Sequence, residues 1–446
     1  MDFKPSIFIG LGGMGKNILL RIRRMIIEDY KKLDNLPSIR FLHADTHTSL
    51  TPDAGVNIPL EVLGQRLEFT DTERVNLSSR INSELLLGID NIKHNKAVSE
   101  WFDVSLPIDI TFTDGAGGIR PYGRMAFHYA INTFRDKVEN ASIYVNHSSN
   151  IQKTADSLRM PKQNEPGIDI YVVCSFLGGT GSGCFLDACY NALFVTKKFM
   201  PRIIGVFTIG GNVKDEQTAN CYSALMELGY HSTAFIQGRK QHFNVSYPIS
   251  VSSISEDDAP CNLCYLLSPI GENYVLNRDE FEEAVALNLY LNFASSIAAA
   301  KKGKMIDFTS KDYFRELDSD LKRSKQFLSF GISTLEFPAP RVQDMMAHEL
   351  ASFTLKGWLR EEKKESPDLD RDIRDIEETL KENFLIRELQ TIDNKNIIQR
   401  VNSRLSEQEN AVRNLIEESK IDSDLIITTV NSNINTNIIM RVDHAR

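Results

Sequence analysis

Three apolar, strand-like runs in this chain each end in a cluster of glycines, and each cluster is followed by helical periodicity. The most apolar run is DIYVVCSFLGGTGSGCFLD (169–187), which has four glycines between residues 178 and 183. The same plan occurs in 6–30 and in 108–138. Because each glycine costs about 0.5–1 kcal/mol of backbone entropy on folding, such a cluster indicates that bare backbone is required at the strand end.

Strands and helices alternate over the first 300 residues. Further strand-like runs are IRFLHADT (39–46), RIIGVFTIGG (202–211) and NLCYLLSP (262–269), and a long, largely apolar helix is predicted at 278–300. The pattern predicts an α/β fold, with a mostly parallel Rossmann-like sheet, helices on both faces and the long helix at the centre. Residues 140–167 are predicted to form a loop or a short excursion. The glycine turns fall at strand carboxyl ends, where such sheets bind ligands.

The alternation weakens after residue 303. FLSFGISTLEFPAP (327–340) reads as a strand ended by prolines, MMAHELASFTLKGWL (345–359) as an amphipathic helix, and the chain beyond residue 360 as charged and helical. We therefore predict a nucleotide-binding domain over 1–300, a partial, smaller α+β second domain over 301–360 and a charged helical extension over 361–446. The extension is the candidate surface for a protein partner.

Composition excludes several classes of protein. The net charge of −9 over 446 residues disfavours general binding to nucleic acid, and no apolar run is long enough to insert into a membrane. The first residues lack the features of a signal peptide, so a cytoplasmic location is expected. The basic cluster RIRR (21–24) is assigned to solvated surface. The six cysteines do not form a disulfide framework, and the pair Cys261 and Cys264 lacks the additional ligands of a zinc site.

The glycine turns match the chemistry of phosphate binding. The first turn of a helix leaves backbone N–H groups unpaired and carries a partial positive charge. Glycines before the helix allow a phosphate to approach these N–H groups closely. A single such turn is equally explained as a tight strand-to-helix corner, but three at equivalent positions favour a ligand with a di- or triphosphate.

Two familiar patterns compete at the first turn. Gly10-x-Gly12-x-x-Gly15 fits the dinucleotide fingerprint, with Asp45 at the end of the next strand as the ribose-binding acid. Gly10 to Lys16 also nearly fits the P-loop, but Asn17 stands where that loop needs a Ser or Thr for magnesium. Both patterns leave GGTGSG (178–183) and GAGG (115–118) unexplained.

The combination of motifs resembles the tubulin/FtsZ superfamily over roughly residues 5–345. GGTGSG is similar to the signature loop of that superfamily, and the divergent bacterial tubulin-like proteins are the most similar branch. The other matching segments, in order, are GLGGMGKN (10–17), HADT (43–46), GAGGIRPYGR (115–124), IGVFTIGG (204–211), NCYSALMEL (220–228) and FLSFGISTLEFPAPR (327–341).

The resemblance implies GTP or GDP as ligand, with Mg²⁺ carried by the nucleotide rather than held by protein side chains. Residues 178–183 would hold the α- and β-phosphates, 115–118 would reach the γ-phosphate, and the long helix offers Glu283 and Asn288 as candidate guanine contacts. The implied nucleotide-binding residues are Gly12, Gly13, Met14, Asn17, Asp45, Gly115, Ala116, Gly117, Gly118, Gly178, Gly179, Thr180, Gly181, Ser182, Gly183 and, near ribose or base, Asn220. A larger side chain at Gly181 is expected to fill the phosphate space.

The resemblance also implies a GTPase that self-associates head to tail and completes catalysis at a subunit interface. The family's acidic NxDxxD pattern after the central helix is absent from KKGKMIDFTSKDYF (301–314), so Asp307 and Asp312 are the candidates to orient water. Two alternatives stay open. One is a non-hydrolysing nucleotide-binding scaffold, and the other is an NAD(P)-dependent Rossmann oxidoreductase, for which no catalytic His, Lys or Tyr constellation is evident.

Overall fold

The computed structural model describes residues 4–79, 81–82, 89–103, 115–160, 167–211, 214–233, 243–248, 253–256, 259–271, 274–294, 327–330 and 346–352. The chain divides into two compact units, Met1–Ile332 and Ser333–Arg446. Within the second unit, residues 346–352 are described and are helical. The predicted strand at 108–112 and the predicted extension lie outside the described residues. The predicted domain boundaries at 300 and 360 stay predictions.

In the described part of the chain, seven strands form one parallel sheet. They are β1 (Ser6–Leu11), β2 (Ile39–Asp45), β5 (Arg74–Asn76), β6 (Ile168–Ser175), β7 (Pro201–Thr208), β10 (Leu263–Leu267) and β11 (Phe327–Leu328). Their order across the sheet is β11-β10-β7-β6-β1-β2-β5. Two antiparallel pairs lie outside it, β3 (Glu61–Val62) with β4 (Gln65–Arg66) and β8 (Phe243–Val245) with β9 (Ile254–Glu256). The predicted parallel α/β sheet is confirmed.

Helices follow most strands of the sheet. They are α1 (Gly12–Tyr30), α2 (Ile89–His94), α3 (Lys96–Ser99), α4 (Arg120–Tyr129), α5 (Ile131–Val145), α6 (Ser148–Leu158), α7 (Gly179–Thr196), α8 (Asp215–Thr233) and α9 (Arg278–Ala294), with 3₁₀ turns at Leu33–Asn35 and Lys197–Phe199. None of the helices described is both long and apolar enough to cross a membrane. The long predicted helix is present as α9.

The prediction of a loop or a short excursion over 140–167 was wrong for the helical residues 140–145 and 148–158, and residues 161–166 lie outside the described part of the chain. Helix α5 continues to Val145, and α6 follows after two residues. The buried residues of α6 are Thr154, Ala155 and Leu158, and Ile151 is half-buried. These four positions have the i, i+3, i+4, i+7 spacing of an amphipathic helix, although few of them are apolar in SSNIQKTADSL.

Alternate residues of a strand belong to two different hydrophobic cores, one on each face of the sheet. On β1, Ile7 and Ile9 belong to a core shared with α4, α5 and α7, whereas Phe8 belongs to a core shared with α1 and α9. In the second core, the ring of Phe8 stacks on Tyr171 at 4.6 Å between centroids. This period of two places helices on both faces, as predicted.

The arginines of the RIRR cluster are not solvated surface. Arg21 and Arg23 are 2% and 5% exposed. Arg23 pairs with Glu73 and donates to the Glu68 carbonyl, and Arg21 donates to Glu283 at 2.9 Å. These arginines are buried because acidic partners from distant parts of the chain pair with guanidinium groups that would otherwise be too costly to bury.

The cysteines described are buried thiols. Cys261 and Cys189 place their Sγ atoms 3.7 Å apart in the core, and burial raises the pKa of the Cys189 thiol well above its usual value. In the described residues, no group of three or more His, Cys, Asp or Glu side chains has a metal-binding arrangement.

Replacing Glu73 is expected to destabilise the fold strongly. Glu73→Ala leaves the Arg23 guanidinium buried without its carboxylate, which costs about 3–5 kcal/mol of unfolding free energy. Urea unfolding followed by circular dichroism measures the loss. The control is Glu28→Ala, which removes an exposed partner of Arg24 and costs about 0.5 kcal/mol or less. Equal losses in the two variants would contradict a buried ion pair at Glu73.

Candidate functional site

We call residues 10–15 the first turn, residues 115–118 the third turn and residues 178–183 the signature turn. The signature turn joins β6 to α7, and its glycines leave the backbone accessible. A Cβ on Gly179 would lie 2.6 Å from the backbone N of Ile119 and 2.8 Å from the carbonyl carbon of Gly118. The adjacent Gly183 packs equally closely on the backbone of Arg120. The signature turn and the third glycine turn therefore meet main chain to main chain, at a distance that only glycine permits.

The first glycine turn lies on the other side of the signature turn. Strands β1 and β6 are parallel neighbours, with Leu11 opposite Cys174. Gly12 begins α1 with φ +72°, a left-handed conformation that favours glycine, and its Cβ position is 3.5 Å from the backbone N of Gly181. The first turn thus contacts the signature turn at the shared edge of the sheet.

The third turn approaches from the side of β2. Gly115, Gly117 and Gly118 all have positive φ, and Ala116 between them is buried. The Cβ position of Gly115 is 3.9 Å from Thr46 Oγ1, just beyond the end of β2. The predicted convergence of the three turns is therefore present in the structure.

Asn220 and Glu227 of α8 hold the turns together, Glu227 through Arg120 at the start of α4. The amide Nδ2 of Asn220 donates to the carbonyls of Gly118 at 2.7 Å and Leu177 at 3.2 Å. Arg120 Nη2 donates to the carbonyl of Ser182 at 2.9 Å and pairs with Glu227 of α8 at 2.6 Å. Asn220 is thus placed against the phosphate-type turns; its predicted contact with ribose or base stays a prediction.

Helices α1, α4 and α7 begin at these turns without side-chain caps. Their N-cap residues are Leu11, Ile119 and Gly178, none of which makes a side-chain capping hydrogen bond, and none of the three first turns contains an acid. Helix starts usually carry Ser, Thr, Asp or Asn as a cap. Open space lies within 4 Å of the Cβ positions of Gly118 and Gly178. Three positively polarised, uncapped helix ends therefore lie close together, with open space beside the starts of α4 and α7, which suits an anion.

A carboxylate and two hydroxyls line the edge beside that space. Thr180 Oγ1 lies 2.9 Å from Thr46 Oγ1, which also donates to Asp45. Burial raises the pKa of Asp45, but His43, the backbone N–H of His47 and Thr180 outweigh burial and hold that pKa below its usual value. Asp45 is therefore ionised at neutral pH. Ser182, by contrast, donates its hydroxyl back to the Gly178 carbonyl inside α7.

A polar cluster lies at the other end of the first turn, where α1 contacts α9. Lys16, only 1% exposed, pairs with Asp53 at 2.7 Å, and Asn17 Nδ2 donates to Asp53 at 3.1 Å. Arg278 bridges Asp53, at 3.1 Å, and Glu282, at 2.8 Å. We call these five residues the α1–α9 polar cluster. In this structure Lys16 is paired with Asp53.

Glu282 is the most constrained member of the cluster. The residue is 0% exposed, and its Oε2 atom has no hydrogen-bond partner among the described residues. Burial raises the pKa of Glu282, and Arg278, Arg21 and Asn17 offset only part of that effect.

Glu283 and Asn288, the predicted guanine contacts on α9, are not members of the α1–α9 polar cluster. Glu283 pairs with Arg21 and Arg24, and Asn288 is buried and accepts from Asn292 at 3.1 Å. Of the remaining predicted residues, Gly13 faces Asp53, and Met14 accepts a hydrogen bond from Thr208 at 2.9 Å. Asp53, Arg278 and Glu282 were not predicted. The i,i+4 pairing of Arg278 with Glu282 was the available signal, whereas the segment around Asp53 has no pattern.

One expectation about the signature turn was wrong, and another falls outside the described residues. A Cβ on Gly181 would lie 2.9 Å from the Cβ of Cys174 and 3.1 Å from the Ser175 carbonyl, so a larger residue there meets protein rather than phosphate space. Asp307 and Asp312 lie outside the described residues.

Behind the signature turn, a buried network ties α7 to α4. Asp187 pairs with Arg124 at 3.1 Å and with His128 at 3.2 Å, and accepts from the Tyr247 hydroxyl at 2.9 Å. Burial raises the pKa of Asp187, but Arg124, His128 and Tyr247 outweigh burial and hold that pKa well below its usual range. Burial lowers the pKa of His128, because Asp187 restores only part of the lost solvation.

A sequence-family model described as "Tubulin like" matches residues 7–356. The chain belongs to this tubulin-like family. Membership accounts for all three glycine turns together and favours this assignment over a dinucleotide-dependent oxidoreductase. A comparison with curated proteins finds no match.

Solved structures of the tubulin-like CetZ proteins align with the chain at low identity. CetZ2 from Haloferax volcanii, a GTPγS-bound protofilament, is 12% identical with TM-score 0.35, over 69% of this chain and 63% of that one. CetZ1 from Haloferax volcanii, a GDP-bound monomer, is 13% identical with TM-score 0.33, over 70% and 64%. CetZ from Methanosaeta thermophila is 11% identical with TM-score 0.31, over 69% and 56%. The chain thus spans less than two thirds of these proteins.

Alanine is expected to destabilise the protein at Gly179, where the backbone is closely packed, and to have little effect at Gly178, where there is open space. Gly179→Ala forces the third turn away and costs about 1–3 kcal/mol of unfolding free energy. Gly178→Ala, with φ −87° and no neighbour near its Cβ position, changes that free energy by less than about 1 kcal/mol. Chemical denaturation of both variants gives the difference, and equal stability would contradict the main-chain contact at Gly179.

The His128 site is expected to make the protein less stable as the pH falls below about 6.5. The unfolded chain binds a proton at His128 near that pH, whereas the folded chain, with its lowered pKa, does not, so the unfolding free energy falls by up to about 1.4 kcal/mol per pH unit. The lowered pKa of Asp187 adds a further loss below about pH 4.

Unfolding free energies at several pH values between 7 and 5 test this slope. His128→Gln removes the titrating group and is expected to flatten the slope by that amount, whatever its own stability. An unchanged slope in the variant would assign the acid sensitivity to other groups, such as His231, whose pKa is also lowered by burial.

Proposed function

We propose that this tubulin-like protein binds GTP or GDP at the carboxyl edge of its parallel sheet. The observation that carries the proposal is the close approach of three helix starts without side-chain caps or acids in their first turns, with open space at the Cβ positions of Gly118 and Gly178. A di- or triphosphate supplies several oxygens to such N–H groups and replaces the missing caps. The signature turn would hold the inner phosphates, and the third turn, on the side of Gly118, would reach the terminal one.

Asp45 fits a role beside nucleotide-bound Mg²⁺. Magnesium in nucleotide sites keeps several waters and takes one or two carboxylates together with phosphate oxygens. Asp45 is ionised and lies next to Thr46 and Thr180 at the edge of the open space. The ion, when bound, would neutralise phosphate charge, and Asp45 would orient its waters.

Glu282 supports guanine as the base. Guanine presents two adjacent N–H donors, N1–H and the N2 amine, and a carboxylate oxygen accepts from them. The Oε2 atom of Glu282 is buried with no hydrogen-bond partner among the described residues, which is costly unless a ligand provides a donor. Adenine offers an acceptor at its N1 position, and a site built to receive donors rejects it.

We further propose that the protein hydrolyses GTP and assembles head to tail. A head-to-tail contact is heterologous and extends into open filaments. Asp307 and Asp312 are the proposed water-orienting acids at a neighbour's site, and the charged extension is the proposed partner surface. A cytoplasmic location is proposed with this function. The absent NxDxxD pattern favours one alternative, a scaffold that binds nucleotide without cleaving it.

The proposal predicts that the purified protein carries a guanine nucleotide and that Gly178→Val loses it. No protein atom lies within 4 Å of the Gly178 Cβ position, so the variant is expected to fold, whereas the added side chain at the start of α7 lowers nucleotide affinity at least about tenfold. Mass spectrometry identifies the carried nucleotide, and calorimetric titration with GTP·Mg²⁺ gives both affinities.

The matched control is Gly229→Val on α8, where the Cβ position also has open space but lies outside the glycine turns. Adenine dinucleotide in the purified protein, or equal GTP affinity in a folded Gly178→Val variant, would contradict the proposal. Phosphate release that rises faster than linearly with protein concentration would support assembly-dependent hydrolysis over the scaffold.

A further inference from the structure

Asp53 occupies the cationic end of the α1–α9 polar cluster as an anionic ligand would. Its carboxylate accepts from Lys16 at 2.7 Å, Asn17 at 3.1 Å and Arg278 at 3.1 Å. The backbone N–H of Asp53 also donates to the Asn17 side chain at 3.3 Å, so both ends of that amide are occupied. Two cations and an amide are therefore bound to one carboxylate of the chain itself.

Asp53 also lies directly over the first glycine turn. The Cβ position of Gly13, in the first turn of α1, is 3.0 Å from Asp53 Oδ2. The carboxylate thus stands where the positive end of α1 favours negative charge. Arg278, which holds Asp53, also covers Glu282, whose buried Oε2 has no hydrogen-bond partner among the described residues. Arg21 Nε is an ion-pair partner of this oxygen at 3.8 Å, beyond hydrogen-bond distance, so Oε2 can still accept a hydrogen bond from a ligand.

The segment that carries Asp53 lies at the surface and is held mainly by polar contacts, with Val56 packed against the core. Residues 51–57 are exposed or half-buried, and Ile58 is the first fully packed residue after them. Asn57 is tied to α9 by its backbone N–H, which donates to Asp279 at 3.0 Å. Lys16 and Asn17 are buried, so Asp53 leaves them only when an anionic ligand takes its place and pairs with Lys16 instead.

We propose that Asp53 is an internal competitor of the nucleotide: its carboxylate occupies Lys16, Asn17 and Arg278 in the free protein, and nucleotide entry displaces it. This inference rests on the proposed function. Displacement frees both cations for the ligand and uncovers Glu282 for the base. The competitor reduces the apparent affinity to the intrinsic affinity multiplied by the fraction of molecules in which the segment is open, so a tenfold reduction corresponds to about one open molecule in ten.

The test compares GTP·Mg²⁺ affinity in nucleotide-stripped wild type, Asp53→Asn and Asp53→Ala. Both variants are expected to bind about tenfold more tightly, because the closed state is lost. The matched control is Glu61→Gln, which removes an exposed acid of the neighbouring segment and should leave the affinity unchanged. Hydrogen exchange of residues 50–58 in the wild type should become faster when GTP is added.

Each outcome separates the inference from the proposed function. Wild-type binding of GTP that the Asp53 variants weaken or leave unchanged, with slower exchange over 50–58, would overturn the competitor and make Asp53 part of the binding site. Failure of wild type and all variants to bind GTP would overturn the proposed function and the competition with it. Equal tightening in Glu61→Gln would assign the effect to net charge and overturn the competitor. Circular dichroism confirms that the variants are folded, and Asp53→Asn keeps a polar group beside Lys16 if Asp53→Ala does not fold.

Discussion

The main-chain contact between the signature turn and the third turn is the constraint on which the site depends. Gly179 lies against Gly118 and Ile119 at a distance that excludes a Cβ, so the starts of α7 and α4 can open on the same space. Parallel pairing of β1 with β6 then places Gly12 beside Gly181. Sheet register therefore sets where the three helix ends meet, and the glycines allow them to meet that closely.

Local patterns were sufficient to predict the sheet and the turns, because both depend on neighbouring residues. The alternation of Ile7, Phe8 and Ile9 between two cores follows directly from strand geometry. The buried arginines could not be predicted in the same way. Arg23 finds Glu73 fifty residues away, and Arg21 finds Asp279 after 258 residues. Because the sequence does not show these pairings, the basic cluster was interpreted as solvated surface.

The site shows the same division between local and distant information. GGTGSG identifies a glycine turn, but its glycines look alike in sequence, and the fold alone makes Gly178 face open space and Gly181 face Cys174. The α1–α9 polar cluster joins three separated segments, and only the pair Arg278 and Glu282 has a recognisable spacing. The α1–α9 polar cluster was therefore beyond prediction, whereas the glycine turns were not.

Helix α8 reaches two of the glycine turns with separate side chains. Asn220 donates hydrogen bonds to the third turn and to the residue before the signature turn. Glu227, two helical turns further on, pairs with Arg120, which donates to the signature turn. A change in the spacing of these loops consequently pulls on α8 at two points along its length. Helix α8 is therefore coupled to both turns at two points, so any rearrangement of the turns would be transmitted along the helix to its outward surface.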